Sequence, residues 1–207
     1  GFVYGPGDIK FVDVDGNGKI DWGEGTPDNH GDLVKIGNFT PRYQYSLRLG
    51  AEWKGFDIDL FMQGVGKRDM WTQSAFVMPM MRGEDAIYSN QTSYVTEAEF
   101  AAGVIDQSKD FPRMWGGGAG QGNASGAILN GGRYNFYPQD KYLVNMSYLR
   151  MKNITVGYTL PTDLVKKVTL SRVRVYASIA NAFDIINHNN GTGLDPEINT
   201  GVGSYGN

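Results

Sequence analysis

The sequence predicts an all-β fold: part of a large antiparallel transmembrane β-barrel, contributing four strands plus long extracellular loops within 207 residues. Three observations lead there. Apolar and polar residues alternate over membrane-spanning lengths, aromatic residues sit at both ends of the apolar stripe, and very short connections alternate with very long ones.

The first strand is predicted at Tyr43 to Trp53. Tyr43, Tyr45, Leu47, Leu49, Ala51 and Trp53 fall on one face, and Gln44, Ser46, Arg48, Gly50 and Glu52 on the other. After Lys54-Gly55 the alternation resumes with Phe56, Ile58, Leu60, Met62 and Gly64 against Asp57, Asp59, Phe61, Gln63 and Val65. A two-residue turn joins such runs into a hairpin. It would set Trp53 opposite Phe56, Ala51 opposite Ile58, Leu49 opposite Leu60 and Leu47 opposite Met62, every pair apolar. The same register places Glu52 opposite Asp57, a like-charge pair tolerable only on a wet face. Tyr43 and Tyr45 at one end, and Trp53 and Phe56 at the other, match the interfacial girdles of membrane barrels.

Two further strands are predicted at Tyr148 to Leu160 and Arg172 to Phe183. In the former, Leu149 and Met151 are out of phase with Ile154, Val156, Tyr158 and Leu160, which predicts either a bulge or the entry of the strand near Lys152-Asn153. In the latter, Val173, Val175, Ala177 and Ile179 oppose Arg174, Tyr176 and Ser178. Lys54-Gly55 and Pro161 to Ser171 are short connections, whereas Lys67 to Ser147 runs for about eighty residues. The expected organisation is therefore an extracellular loop over 1–42, a transmembrane hairpin over 43–66, a long extracellular loop over 67–147, a transmembrane strand pair over 148–183, and an extracellular loop over 184–207.

Composition narrows the alternatives. No run approaches the roughly 18 apolar residues of a membrane helix, while barrel strands leave little trace in mean hydropathy. The net charge of −3, without a Lys/Arg-rich stretch, sets nucleic acid aside as a partner. The absence of cysteine excludes disulfides, thiolate metal sites and cysteine nucleophiles. Gly1-Phe2-Val3-Tyr4 carries neither a charged n-region nor an apolar h-region, so an exported chain would have its true N-terminus elsewhere.

The sharpest local motif is Asp13-Val14-Asp15-Gly16-Asn17-Gly18-Lys19-Ile20-Asp21-Trp22-Gly23-Glu24. It fits the twelve-residue calcium loop, with oxygen ligands from Asp13, Asp15, Asn17, Asp21 and Glu24, the Lys19 carbonyl at the seventh position, and Gly16 at the sharp turn. Hard oxygen donors at that spacing suit a structural Ca²⁺; the flanks do not read as two helices, so an isolated loop is expected, and an acidic, glycine-rich turn without metal is its rival. Gly116 to Gly132 superficially resembles a phosphate-binding turn but lacks the flanking strand and helix and the Lys-Ser/Thr. His30 and His188 are solitary, and neither a nucleophile elbow nor an acid/base carboxylate pair stands out, so no enzyme is predicted. Trp71, Phe76, Tyr88, Tyr94, Phe111, Trp115, Tyr134, Phe136 and Tyr137 are interleaved with polar residues in the long loop. Packing among themselves is their default role, and no substrate contact is assigned. From these residues alone a second reading stays open: a soluble calcium-binding β-sandwich that recognises carbohydrate.

Several segments also resemble one family. They are Pro6-Gly7-Asp8-Ile9-Lys10-Phe11-Val12-Asp13 through Gly18-Lys19-Ile20-Asp21, Ile36-Gly37-Asn38, Trp53-Lys54-Gly55-Phe56-Asp57 and Phe61-Met62-Gln63-Gly64. Tyr148-Leu149-Arg150-Met151-Lys152-Asn153-Ile154-Thr155-Val156-Gly157-Tyr158, Val173-Arg174-Val175-Tyr176 and Asp195-Pro196-Glu197 continue the series. In that order they resemble the C-terminal region of SusC/RagA-type TonB-dependent transporters. The resemblance implies a plugged barrel in the outer membrane of Bacteroidota-like bacteria, a SusD-like surface lipoprotein as lid, energy from a TonB complex reached through the missing N-terminal part, and import of glycans or peptides. The sequence departs from the family pattern by stopping at Gly206-Asn207 before an aromatic-ended final strand, and by lacking plug and TonB box. The rest of the barrel, the plug and outer-membrane lipid are then its expected neighbours.

Overall fold

A computed structural model describes residues 4–71, 75–79, 87–113, 133–189 and 191–198, with the side chains of residues 133, 134 and 168 left aside. The predicted glycine-rich stretch, Trp115 and the Tyr134 ring fall outside the described residues. The chain divides into two compact units: Asn38–Met70 with Val144–Asn199, and Gly1–Gly37 with Trp71–Leu143 and Thr200–Asn207.

The first of these is a single antiparallel sheet. Its strands are β1 (Tyr43–Trp53), β2 (Phe56–Gly66), β5 (Tyr148–Thr159) and β6 (Arg174–Asn187), in the order β1-β2-β5-β6. Two three-residue strands, β3 (Asp69–Trp71) and β4 (Leu143–Asn145), pair separately. The hairpin has the predicted register from Trp53↔Phe56 to Leu47↔Met62. Its turn residues, Lys54 (φ 47°) and Gly55 (φ 89°), both lie in the left-handed region, the conformation whose twist matches that of the flanking strands.

The bulge also falls where the phase mismatch predicts it. β5 pairs Met151 with Met62 and Asn153 with Phe61, which leaves Lys152 as the extra residue. That one insertion returns Leu149 and Met151 to the face of Ile154, Val156 and Tyr158. Four continuous apolar rows result: Trp53–Phe56–Tyr158–Val175, Ala51–Ile58–Val156–Ala177, Leu49–Leu60–Ile154–Ile179 and Leu47–Met62–Met151–Phe183.

β6 differs from expectation. It runs to Asn187, four residues beyond the predicted end at Phe183, so the loop begins after 187 rather than at 184. Its pairing with β5 shifts twice, and Asn181 adopts φ 49° at the second irregularity. Each shift breaks the period-two signal by which sequence reading detects a strand.

The other unit has its own small core of Met78, Phe136 and Tyr142, against which Trp71, Val77 and Phe111 pack. Predicted as a long loop, 67–147 includes a short helix, α1 (Glu97–Ala102). Thr96 Oγ1 accepts from Glu99 N at 3.2 Å, Glu99 Oε2 accepts from Thr96 N at 2.7 Å, and Gly103 at φ 67° ends the helix. Asp8 and Arg113, whose side chains are 2% and 4% exposed, form a bidentate pair at 2.7 and 3.2 Å. Asn135 Nδ2 and Gly5 N donate to the same carboxylate, and Phe100 stacks under the guanidinium at 3.4 Å. Three segments far apart in sequence are pinned at one buried charge pair. A second short helix, α2 (Thr162–Val165), fills the connection between β5 and β6.

Candidate functional site

The two faces of the four-stranded sheet have opposite chemistry. On the apolar face Leu47, Leu49, Ile58, Val156 and Ile179 remain 39–58% exposed, and Trp53, Phe56 and Val175 more than half exposed. In a soluble sandwich these positions would be the core and would be buried against a second sheet. Among the described residues no second sheet covers them. The eleven residues of β1 extend about 36 Å at ~3.3 Å each, which at a tilt of ~45° spans the ~25 Å apolar band of a barrel.

The opposite face is polar and internally paired. Arg48 donates to Asp59 at 2.8 Å, and Arg174 Nε donates to Asp57 at 2.9 Å. Thr155, Ser178 and Asn153 are linked by hydroxyl and amide contacts of 2.8–3.2 Å. The Arg174 contact relieves the expected Glu52–Asp57 conflict: a cation two strands away supplies the counter-charge. To do so Arg174 crosses β5 directly over Gly157, where a Cβ would lie 2.4 Å from its guanidinium and 2.6 Å from the Asp57 carboxylate. Gly157 is the gap through which the pair forms. At the far end of the sheet, on its apolar face, Tyr45 lies over Gly64 and donates from its hydroxyl to the Tyr148 carbonyl at 3.1 Å. A cavity of about 490 Å³ opens on the polar face, lined by Arg48, Asp57, Asp59, Asn153, Thr155 and Arg174 among others.

The acidic loop lies in the other unit. Carboxylate oxygens of Asp13, Asp15 and Asp32 lie within 4.8 Å of one another, and Asp32 is a member outside the twelve-residue motif. Asp13 accepts from Gly16 N, Asn17 N and Gly18 N at 2.7–3.2 Å. Asn17 Oδ1 accepts from Lys19 N, and Asp21 Oδ1 from Gly23 N, both at 2.8 Å. Asp32 bridges the two ends of the loop by accepting from Val14 N at 2.6 Å and Asp21 N at 2.8 Å. Those backbone donors, Asp21 first, hold its carboxyl below the usual aspartate range. Asp21 and Glu24 are not in the three-carboxylate group, and the Glu24 backbone N–H donates to the Asn29 carbonyl. Gly16 and Gly18 have φ of 76° and 79°, which only glycine adopts readily. The set is all hard oxygen, the donor chemistry that suits Ca²⁺.

Of the loop aromatics, Trp71, Phe111 and Phe136 are packed in or against the core, Phe76 lies 4.5 Å from Tyr88, and Tyr137 meets Trp22 edge-on at 5.4 Å. His188 Nδ1 lies 3.2 Å from the Ser147 carbonyl, and His30 Nδ1 lies 3.0 Å from that of Gly31. Among the described residues neither belongs to a candidate metal-ligand group.

Comparison with known proteins gives a consistent answer. TonB-dependent receptor P3 of Formosa agariphila is 26% identical over 194 residues, covering 94% of this chain and 16% of the relative. TonB-dependent receptor SusC of Bacteroides thetaiotaomicron is 41% identical over 68 residues, 32% of this chain and 6% of the relative. Among solved structures the fold is similar to the RagAB peptide transporter, with TM-score 0.52, 22% identity, and coverage of 77% of this chain and 15% of that one. The RagAB peptide importer in its closed-closed state gives TM-score 0.50 and 18% identity, over 87% of this chain and 18% of that one. No protein-family model matches the chain. The chain thus spans about a sixth of the relative that it matches along most of its own length. In sequence the chain is similar to a segment of TonB-dependent receptors, SusC among them, and its antiparallel sheet β1-β2-β5-β6 belongs to a fold that it shares with a segment of the RagAB transporter.

Proposed function

We propose that this chain forms one wall of a plugged outer-membrane barrel that imports glycans or peptides, with a SusD-like lipoprotein as lid and a TonB complex as energy source. The observation that carries the reading is the exposed apolar face set back to back with an ion-paired polar face. Lipid would cover the first and a watery lumen the second. Conduction needs no bond-making group; what supports transport is the opposed chemistry of the two sheet faces. The tight connections at Lys54-Gly55 and between β5 and β6 would lie on the periplasmic side, and the long ones outside the cell.

Within that reading the loop at 13–24 binds a structural Ca²⁺. Asp13 and Asp15 would supply carboxylate oxygens, Asn17 an amide oxygen, Lys19 its carbonyl, and Asp21 and Glu24 the remaining donors; Asp32 joins the set from outside the loop. A lone extracellular loop of this kind binds at about 10⁻⁴–10⁻³ M, sufficient where calcium is plentiful.

Fractionation tests the transport reading. The full-length protein should be recovered in detergent-extracted outer membrane and should deplete its solute from medium only when its gene is present. Tags in the exposed Val104 region should react with antibody on intact cells, and tags at Lys54-Gly55 only after permeabilisation. Recovery as a soluble protein, or surface labelling at Lys54-Gly55, would refute it.

A further inference from the structure

We propose that residues 194–198 form an ion-paired strap across the polar face of the sheet at its long-loop end, and that the strap swings clear when its carboxylates part from Arg150 and Lys152. The inference rests on the reading of that face as a lumen wall.

The strap follows β6 and folds back onto β5. Arg150 Nη1 reaches both Asp195 oxygens at 3.3 Å and Glu197 Oε2 at 3.5 Å, while Lys152 Nζ holds both Glu197 oxygens at 2.9 Å. Arg68 donates to the Pro196 carbonyl at 3.3 Å and the Ile198 carbonyl at 2.8 Å, and Pro196 is fully buried. Asn189 Nδ2 closes the turn by donating to the Leu194 carbonyl at 2.8 Å. The bulge makes this possible. Alternation puts Arg150 and Lys152 on the polar face, and the extra residue at Lys152 lets Asn153 and Thr155 share that face.

Two features mark the strap as the part that moves. It is tied down by side chains and not by a β-ladder, and its carboxylates are 58% and 30% exposed, so water and salt compete for the same cations. Departure also leaves Arg150 a counter-charge. Arg150 keeps a second carboxylate within the sheet itself, with Nε donating to Asp184 Oδ1 at 2.5 Å and Nη2 to Oδ2 at 3.2 Å. Arg68 keeps the Phe39 ring beneath its guanidinium at 4.8 Å. Lys152, 22% exposed, is hydrated when Glu197 leaves, so opening does not leave Arg150 as a buried cation without a partner.

Pro196→Cys, in a full-length transporter otherwise free of accessible thiols, reports opening through its rate of reaction with a membrane-impermeant maleimide. The rate should be slow in the parent and rise about tenfold or more with Lys152→Gln or Glu197→Gln, as expected when a locally closed segment opens more often. The exchanged pair, Lys152→Glu with Glu197→Lys, should slow it again. Raising ionic strength should speed labelling of the parent reporter, which keeps the test valid if a charge variant fails the gel-mobility check for folded barrel. Equal rates in parent and variants, no effect of salt, or an exchanged pair as fast as the single variants would overturn the strap. Labelling is compared on intact cells and on detergent-extracted protein. If the variants keep their order in extract but no cell labels, the outer-membrane topology fails while the strap stands.

Discussion

Gly157→Ala isolates a contact that no local sequence rule describes. The added methyl would sit 2.4 Å from Arg174 Nη2 and 2.6 Å from Asp57 Oδ1, against a normal carbon–heteroatom separation above ~3.3 Å. Both obstacles are the far ends of flexible side chains, so they retreat and the strand survives. What is lost is the ion pair. With side chains 31% and 21% exposed, it contributes about 1 kcal/mol. Its loss also uncovers Asp57 opposite Glu52, a like-charge cross-strand pair costing about 0.2–1 kcal/mol. The lower chain entropy of alanine offsets about 0.5–1 kcal/mol. The net expectation is a destabilisation of about 1 kcal/mol, measured by urea titration of the refolded barrel with gel mobility as the readout. The decisive comparison is a double-mutant cycle. In an Asp57→Asn background Gly157→Ala should be neutral or stabilising. An equal cost in both backgrounds would mean that the glycine serves some other purpose, and that Arg174 does not reach Asp57 across it.

Three further outcomes are expected. Arg113→Ala leaves Asp8 buried without its cation and should cost about 3–5 kcal/mol of local stability, read as faster proteolysis of 87–113 with the sheet unaffected. Chelation of calcium should loosen residues 8–25 without unfolding the barrel; Asp13→Asn and Glu24→Ala should be cut at the chelated rate whether or not calcium is present, and identical cutting of all forms in both conditions would leave only an acidic turn. Acid should loosen the same loop: because backbone donors depress the Asp32 carboxyl in the folded state, its contribution is complete above the ordinary aspartate value of about 3.9 and is lost as pH falls below it. Proteolysis against pH, with Asp32→Asn already loose at neutral pH, checks that sign.

The hairpin was fully legible because strand, turn and register obey local rules: period two, and a turn whose second residue is glycine. Even the bulge was visible, since an insertion shows as a phase error between Met151 and Ile154. The end of β6 was hidden by two such errors close together. The capping box of α1 stands in Thr96-Glu97-Ala98-Glu99, but the six-residue helix it opens is too short to show a helical period. Contacts between distant segments left no trace at all. Asp8 meets Arg113, and Asp57 meets Arg174, across separations above a hundred residues, and one sequence carries no signal of such pairing. In the acidic loop the motif identified Asp13 and Asp15. Asp32 joins them only because the chain returns after Gly31.

If the apolar face meets lipid, a charge at its midpoint should not be tolerated. Leu49 is the seventh of eleven residues in β1, one position from its centre, so a charge there would sit near the membrane midplane. Leu49→Arg should cost about 2–4 kcal/mol of barrel stability. Ser46→Arg, three residues earlier on the polar face, should cost about 0.5 kcal/mol or less. The two variants are compared by urea titration of the full-length barrel in lipid bilayers. A large loss for Leu49→Arg beside a small one for Ser46→Arg is expected, and equal losses, or the reverse order, would mean that the apolar face does not meet lipid.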